Sequence, residues 1–157
     1  MTDGLSSGNQ PLLEGYSFHE TENPSAEDAI IERLVAFNLA HTSQAPSAPE
    51  ERRPLSIFVH AADGHLIGGL VGRTHAIPFW FEVSVLWIDE VDRGRGLGRA
   101  LMARAEGEAR SRGCRYVRLA TSHFQAPDFY AALGYTIYGA LEDCPPGETV
   151  FYLRKNL

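Results

Sequence analysis

Residues 93–99 read Arg-Gly-Arg-Gly-Leu-Gly-Arg. Glycines at 94, 96 and 98 let the backbone turn sharply and bring its N–H groups close to a ligand. Arg93, Arg95 and Arg99 sit where a multiply anionic ligand would want them. An apolar run over residues 83–88 leads in and reads as a strand buried on both faces. Leu97, Leu101, Ala105 and Ala109 follow at near-helical spacing. A helix start carries unpaired N–H groups and the positive end of the helix dipole, so this stretch suits a phosphate or pyrophosphate.

The spacing narrows the choice of ligand. The dinucleotide fingerprint is G-x-G-x-x-G with an acid about 20 residues on. Here the glycines fall as G-x-G-x-G, and Arg115 and Arg118 occupy the region of the acid. A P-loop needs Gly-Lys-Ser/Thr, which does not occur here. What stands in the chain is R-x-x-G-x-G, at Arg93, Gly96 and Gly98. This resembles the CoA pyrophosphate loop of the GNAT superfamily of acyl-CoA-dependent N-acyltransferases. A second stretch, His123-Phe124-Gln125-Ala126-Pro127-Asp128-Phe129-Tyr130-Ala131-Ala132-Leu133-Gly134-Tyr135, is similar to that superfamily's other signature, N-x-x-A-x-x-F-Y-x-x-x-G-F/Y. Ala126, Phe129, Tyr130, Gly134 and Tyr135 fit it, and His123 stands where Asn is usual. Phe-Gln-Ala-Pro before Phe-Tyr resembles a bacterial branch of acetyltransferases.

The resemblance implies an N-acetyltransferase that uses acetyl-CoA, acts in a ternary complex and needs no metal. Amine acylation sets the requirements. An alkyl ammonium has a pKa of ~10.4 and must lose a proton before it attacks. The thioester oxygen gains charge and needs a fixed donor. The leaving thiolate benefits from an acid. By resemblance, the donor is a backbone N–H of Trp87 or Ile88, and pantetheine pairs with the strand through Leu86, Trp87 and Ile88. The pyrophosphate falls to residues 93–99, including Gly94 and Leu97, with further cofactor contacts at His123 and Phe129. Tyr130 is the implied acid, although a core aromatic with a satisfied hydroxyl is the plain alternative. Glu82, 11 positions before Arg93, matches the offset of the base in the histone-acetyltransferase branch. An acid on an apolar strand would have a raised pKa. The plain alternative is a solvent-facing strand residue, and His75 is a second candidate base. Against the enzyme stands an acyl-CoA-binding sensor or regulator that transfers nothing. The acceptor is a small-molecule amine or a protein lysine.

Composition bounds the rest. The 157 residues predict one domain over 15–157 after a flexible tail, 1–14. No apolar run reaches a membrane span, and the first 14 residues do not read as a signal peptide. Cys114 and Cys144 lack metal-site spacing, so free thiols and a cytoplasmic setting are expected. The net charge of −6 argues against nucleic-acid binding. Residues 93–118 hold eight arginines against Glu106 and Glu108, and the acidic remainder favours a cationic acceptor. Two copies associating through a sheet edge or the final hairpin is an open option.

These residues need a frame. Strands are expected over 15–20, 55–61, 66–74, 78–89, 116–120, 135–141 and 149–154. Helices are expected from Asn23-Pro24-Ser25 to about His41, over 99–112, and over 126–133. Residues 42–54 read as a loop that, with the turn at 144–147, lines the acceptor pocket. The order β-α-β-β-β-α-β-α-β-β describes an α/β (α+β) protein. Its mixed, mostly antiparallel twisted sheet has helices on both faces, as in the GNAT fold.

Overall fold

The computed structural model describes Tyr16 and residues 22–41, 52–75 and 79–157. The chain forms two compact units, residues 1–41 and 42–157. In the first, α1 spans Pro24–His41. Its cap is Asn23, whose side-chain oxygen accepts the Ala26 N–H at 3.1 Å and the Ser25 hydroxyl at 2.8 Å. Asn is a strong N-cap, and Pro24 at the first helical position has no N–H to satisfy. The strand expected over 15–20 and most of the loop expected over 42–54 lie outside the described residues.

The second unit holds β1 (Arg52–His60), β2 (Leu66–His75), β3 (Trp80–Ile88), α2 (Leu97–Ser111), β4 (Tyr116–Ser122), α3 (Pro127–Ala131), β5 (Thr136–Glu142) and β6 (Thr149–Asn156). The strands form one sheet in the order β1-β2-β3-β4-β6-β5. Among the described strands only β3 and β4 pair in parallel, because α2 carries the chain back between them.

One sheet face packs under α2. Leu101, Met102, Ala105 and Ala109 recur at helical spacing and bury against Leu55, Leu70, Phe81, Val83, Val117, Leu119 and Leu153. Each such large side chain contributes roughly 1.5–3 kcal/mol when removed from water. Val85 and Trp87 are 52% and 53% exposed, so the run over 83–88 is buried on one face, not on both as its continuous apolar character predicts. Pairing with β2 slips between Val71 and Gly72, which oppose Val85 and Val83 and leave Ser84 as an extra residue. This bulge resets the alternation. Phe81, Val83, Leu86 and Ile88 then face α2, and Trp80, Glu82, Val85 and Trp87 face away. Gly72 makes room, since a Cβ there would lie 2.4 Å from the Glu82 carbonyl oxygen and 2.7 Å from the Phe81 ring.

Candidate active site

The bulge opens the sheet. β3 and β4 pair only from Trp80↔Tyr116 to Val83↔Leu119. Beyond that point β3 stays on β2 as far as Gly68↔Ile88, while β4 stays on β6 as far as Ser122↔Val150. A wedge therefore separates residues 84–88 from residues 120–122. The backbone N–H and C=O groups that face it have no neighbouring strand among the described residues.

Register decides which groups point in. The Asp89 N–H donates to the Ile67 carbonyl at 2.9 Å. In an antiparallel pair such groups alternate along the strand, so Trp87 also turns its N–H to β2, and Leu86 and Ile88 turn theirs into the wedge. The Ile88 carbonyl, on that same side, accepts the Arg93 Nε–H at 2.9 Å. Of the two backbone donors expected from sequence, Ile88 faces the wedge and Trp87 is committed to the sheet. The Trp87 ring lies on the face away from α2, with the Arg93 guanidinium 4.7 Å from its centre.

The wedge opens toward the glycine loop. Gly94 and Gly96 have φ of 75° and 83°, the left-handed region that side chains other than Gly rarely adopt. Gly96 is the N-cap of α2, and no side chain caps the helix. The first intrahelical bond here runs from the Ala100 N–H to the Gly96 carbonyl, which leaves the N–H groups of Leu97, Gly98 and Arg99 without helix partners. Gly98 has a different role: a Cβ there would meet the Phe129 ring at 3.3 Å, so its absence lets α3 close on the loop. Two of the loop arginines are partly engaged. Arg93 lies 3.6 Å from Glu90 and Arg95 lies 2.8 Å from Asp92.

Phe129 and Tyr130 pack edge to face, their centroids 5.1 Å apart. Tyr130 is buried, and burial pushes its phenol pKa up, so the hydroxyl keeps its proton. That hydroxyl has no hydrogen-bond partner among the described residues. Gln125 shapes the approach to α3: its side-chain oxygen accepts the Thr121 hydroxyl and the Ser122 N–H, both at 3.0 Å, and so ends β4. His123 follows, with Nδ1 2.9 Å from a Glu148 carboxylate oxygen. His123 thereby joins the end of β4 to the β5–β6 turn.

Known proteins carry the same frame. The pattern of the acetyltransferase (GNAT) family matches residues 17–135. The chain belongs to this family. The blasticidin-S acetyltransferase of Streptomyces morookaense is 44% identical over 111 residues, covering 68% of this chain and 80% of that one. Acetyltransferase Atu2258 of Agrobacterium fabrum is 35% identical over 141 residues, covering 90% and 98%. A Bacillus cereus acetyltransferase crystal structure superposes with a TM-score of 0.75 at 29% identity, covering 90% and 98%.

In this acetyltransferase Glu82 is not the isolated acid on an apolar strand that the sequence suggests. It accepts a hydrogen bond from Arg118 at 2.7 Å and lies 3.7 Å from His75 Nε2, its side chain 42% exposed. Its neighbours are cations because Arg73 and Arg118 are its register partners on β2 and β4. His75 is mostly buried, and desolvation lowers its pKa. Arg52, Arg118 and Arg73 add to that, and Glu82 opposes it. A mostly apolar groove of about 290 Å³ lies between β1 and α2, lined by Ile57, Val59, His60, Leu97, Ala100 and Arg104 among others.

Sequence reasoning missed a buried triad. Glu106 is 5% exposed, accepts the Tyr135 hydroxyl at 2.9 Å and pairs with Lys155 at 2.7 Å. It ties α2 to β6 and to the segment after α3. The available signal was an acid between Ala105 and Ala109, on the apolar stripe of the helix.

Proposed function

We propose that this acetyltransferase moves the acetyl group of acetyl-CoA directly to a primary amine of a small molecule. The observation that carries the reading is the wedge, with the Leu86 and Ile88 N–H groups turned into it and an uncapped helix start at its mouth. The relatives' names support a small-molecule amine over a protein lysine. Acetyl-CoA supplies the acyl group as a thioester. The N–H groups of Leu97, Gly98 and Arg99 hold the pyrophosphate, aided by the Arg99 side chain and the helix dipole. The edge of β3 holds the pantetheine amides as a further strand would. An N–H facing the wedge polarises the thioester carbonyl. The amine nitrogen bonds to the carbonyl carbon as the C–S bond breaks. Glu82 takes one proton from the ammonium before attack, directly or through water, Tyr130 gives its proton to the departing sulfur, and the acylated nitrogen gives up its second proton to restore the phenol. Cys114 is buried with its pKa raised by desolvation and Cys144 lies in the turn after β5, so no cysteine is poised for a covalent acetyl relay.

The test separates charge from backbone strain at Gly96. Gly96→Asn and Gly96→Asp have similar shape, and both residue types tolerate a left-handed backbone better than most. Calorimetry should show acetyl-CoA affinity at least tenfold weaker in the Asp variant than in the Asn variant, with both folded by circular dichroism. Equal affinity in the two would remove the pyrophosphate from this loop.

A further inference from the structure

The sheet face away from α2 carries, around Glu82, arginines that the acyl-transfer chemistry does not use. Arg73, Glu82, Arg118 and Arg154 are register partners across β2, β3, β4 and β6. Directly opposed residues of paired strands share a face, so all four project from the side away from α2. Arg52 stands one row along, opposite His75. Around Glu82 the face thus holds four arginines and one acid, in a chain whose net charge is −6.

Glu82 answers only one of these cations. It bonds Arg118, while the guanidinium groups of Arg73 and Arg154 have no hydrogen-bond or ion-pair partner among the described residues. Arg118 and Arg154 lie directly opposite one another, a like-charge pairing that weakens a sheet. Local features that oppose stability concentrate at functional sites. The position is suggestive too. Glu82↔Arg118 is the last pair but one before the sheet splits at Val83↔Leu119. The row therefore borders the closed end of the wedge, where an acceptor amine must meet the thioester. The loop at 93–99 serves the open end, so the cofactor phosphates do not account for these arginines.

We infer that the acceptor is an amine that also carries a carboxylate, and that Arg73, Arg118 and Arg154 hold that carboxylate beside the wedge. Arginine presents a planar fork of donors that matches a carboxylate in two hydrogen bonds. Arg118 and Arg154 sit on neighbouring strands, ~4.8 Å apart, close enough to share one such group. Glu82, between Arg73 and Arg118, keeps Arg118 extended across the sheet and offers the ammonium its counter-charge. The acceptor is then a zwitterion, in place of the simple cation that the acidic composition of the chain favours. The inference rests on the acyl-transfer reading above.

The experiment offers primary amines in matched pairs, each as its free carboxylate and as its carboxamide, drawn from short α- and ω-amino acids. Release of CoA thiol is followed after calorimetry has established acetyl-CoA binding. The carboxylate member should be preferred at least tenfold in kcat/KM in the productive pairs. Arg154→Gln and Arg73→Gln should each reduce that preference several-fold, through KM for the carboxylate, and leave the acetyl-CoA dissociation constant unchanged. Arg154→Lys, which keeps charge but loses the fork, should fall between. Equal or better turnover of the carboxamides, no transfer to any carboxylate, or a preference untouched in both Gln variants overturns the inference. Failure to bind acetyl-CoA at all overturns the acyl-transfer reading beneath it.

Discussion

Replacing Tyr135 by Phe removes one oxygen from the polar cluster around the buried Glu106. The ring stays, and with it the edge-to-face contact with Tyr130 at 5.8 Å and the Lys155 ammonium 5.4 Å from the ring centre. What is lost is the 2.9 Å hydrogen bond to Glu106, a carboxylate whose side chain is 6% exposed. A hydrogen bond to a charged group contributes about 1.5–3 kcal/mol, and removing one partner leaves the buried Glu106 oxygen without that donor. For a chain of this length that corresponds to a melting temperature lower by about 3–12 °C. Calorimetric or circular-dichroism melts at pH 7 measure the difference. The pH dependence adds a sign. Burial and the Glu106 charge push the Tyr135 phenol pKa well above its ordinary value. The folded chain therefore keeps this proton at pH values where the unfolded chain loses it. The stabilisation is complete below the unfolded value of ~10 and declines as pH rises beyond it. Phe cannot titrate, so the gap between wild type and variant should narrow above pH ~10. Lys155→Met removes the 2.7 Å partner of Glu106 and leaves Arg110, 4.0 Å away, as the remaining cation, so it should also lower the melting temperature. A Tyr135→Phe melt within about 1 °C of wild type, with no pH-dependent gap, would refute the claim that the triad is a stabilising unit.

Three further outcomes test the site. Tyr130→Phe should lower turnover by roughly 10²-fold with little change in acetyl-CoA affinity, if the protonated phenol is the acid; an unchanged turnover would assign Tyr130 to packing. Glu82→Gln retains the bond to Arg118 and removes the base. Turnover should fall by roughly 10²-fold or more near pH 7 and recover in part at high pH, where free amine prevails, whereas a wild-type pH–rate profile would move the base elsewhere. His75→Gln should flatten the acid side of the stability curve. The lowered His75 pKa means that the unfolded chain takes up a proton first, so this stabilisation is present above pH ~6.5 and lost as pH falls. Identical acid melts for the two proteins would discount it.

The sequence by itself determined what local chemistry can write. Positive φ at Gly94 and Gly96, the helix stripe from Leu97 to Ala109, the cap at Asn23 and the strand–loop–helix order all depend on residues a few positions apart, and each is visible as spacing. The acyl-transfer family was legible for the same reason, since both of its motifs are contiguous stretches. The tertiary structure decided everything that depends on register between distant strands. The ion pair of Glu82 and Arg118 joins residues 36 apart, and Tyr135 reaches Glu106 across 29. The extra residue at Ser84 exchanges the faces of β3 part-way along. A period of two read from sequence therefore places Glu82 and Val85 on opposite sides, whereas the folded strand puts them on the same side. The turning of Ile88 rather than Trp87 into the wedge follows from the same pairing, as does the alignment of Arg73, Arg118 and Arg154. A chain read in one dimension carries side-chain identity and local periodicity. Which strands pair, and in which register, is set by burial of the core face against α2, and only the folded sheet records it.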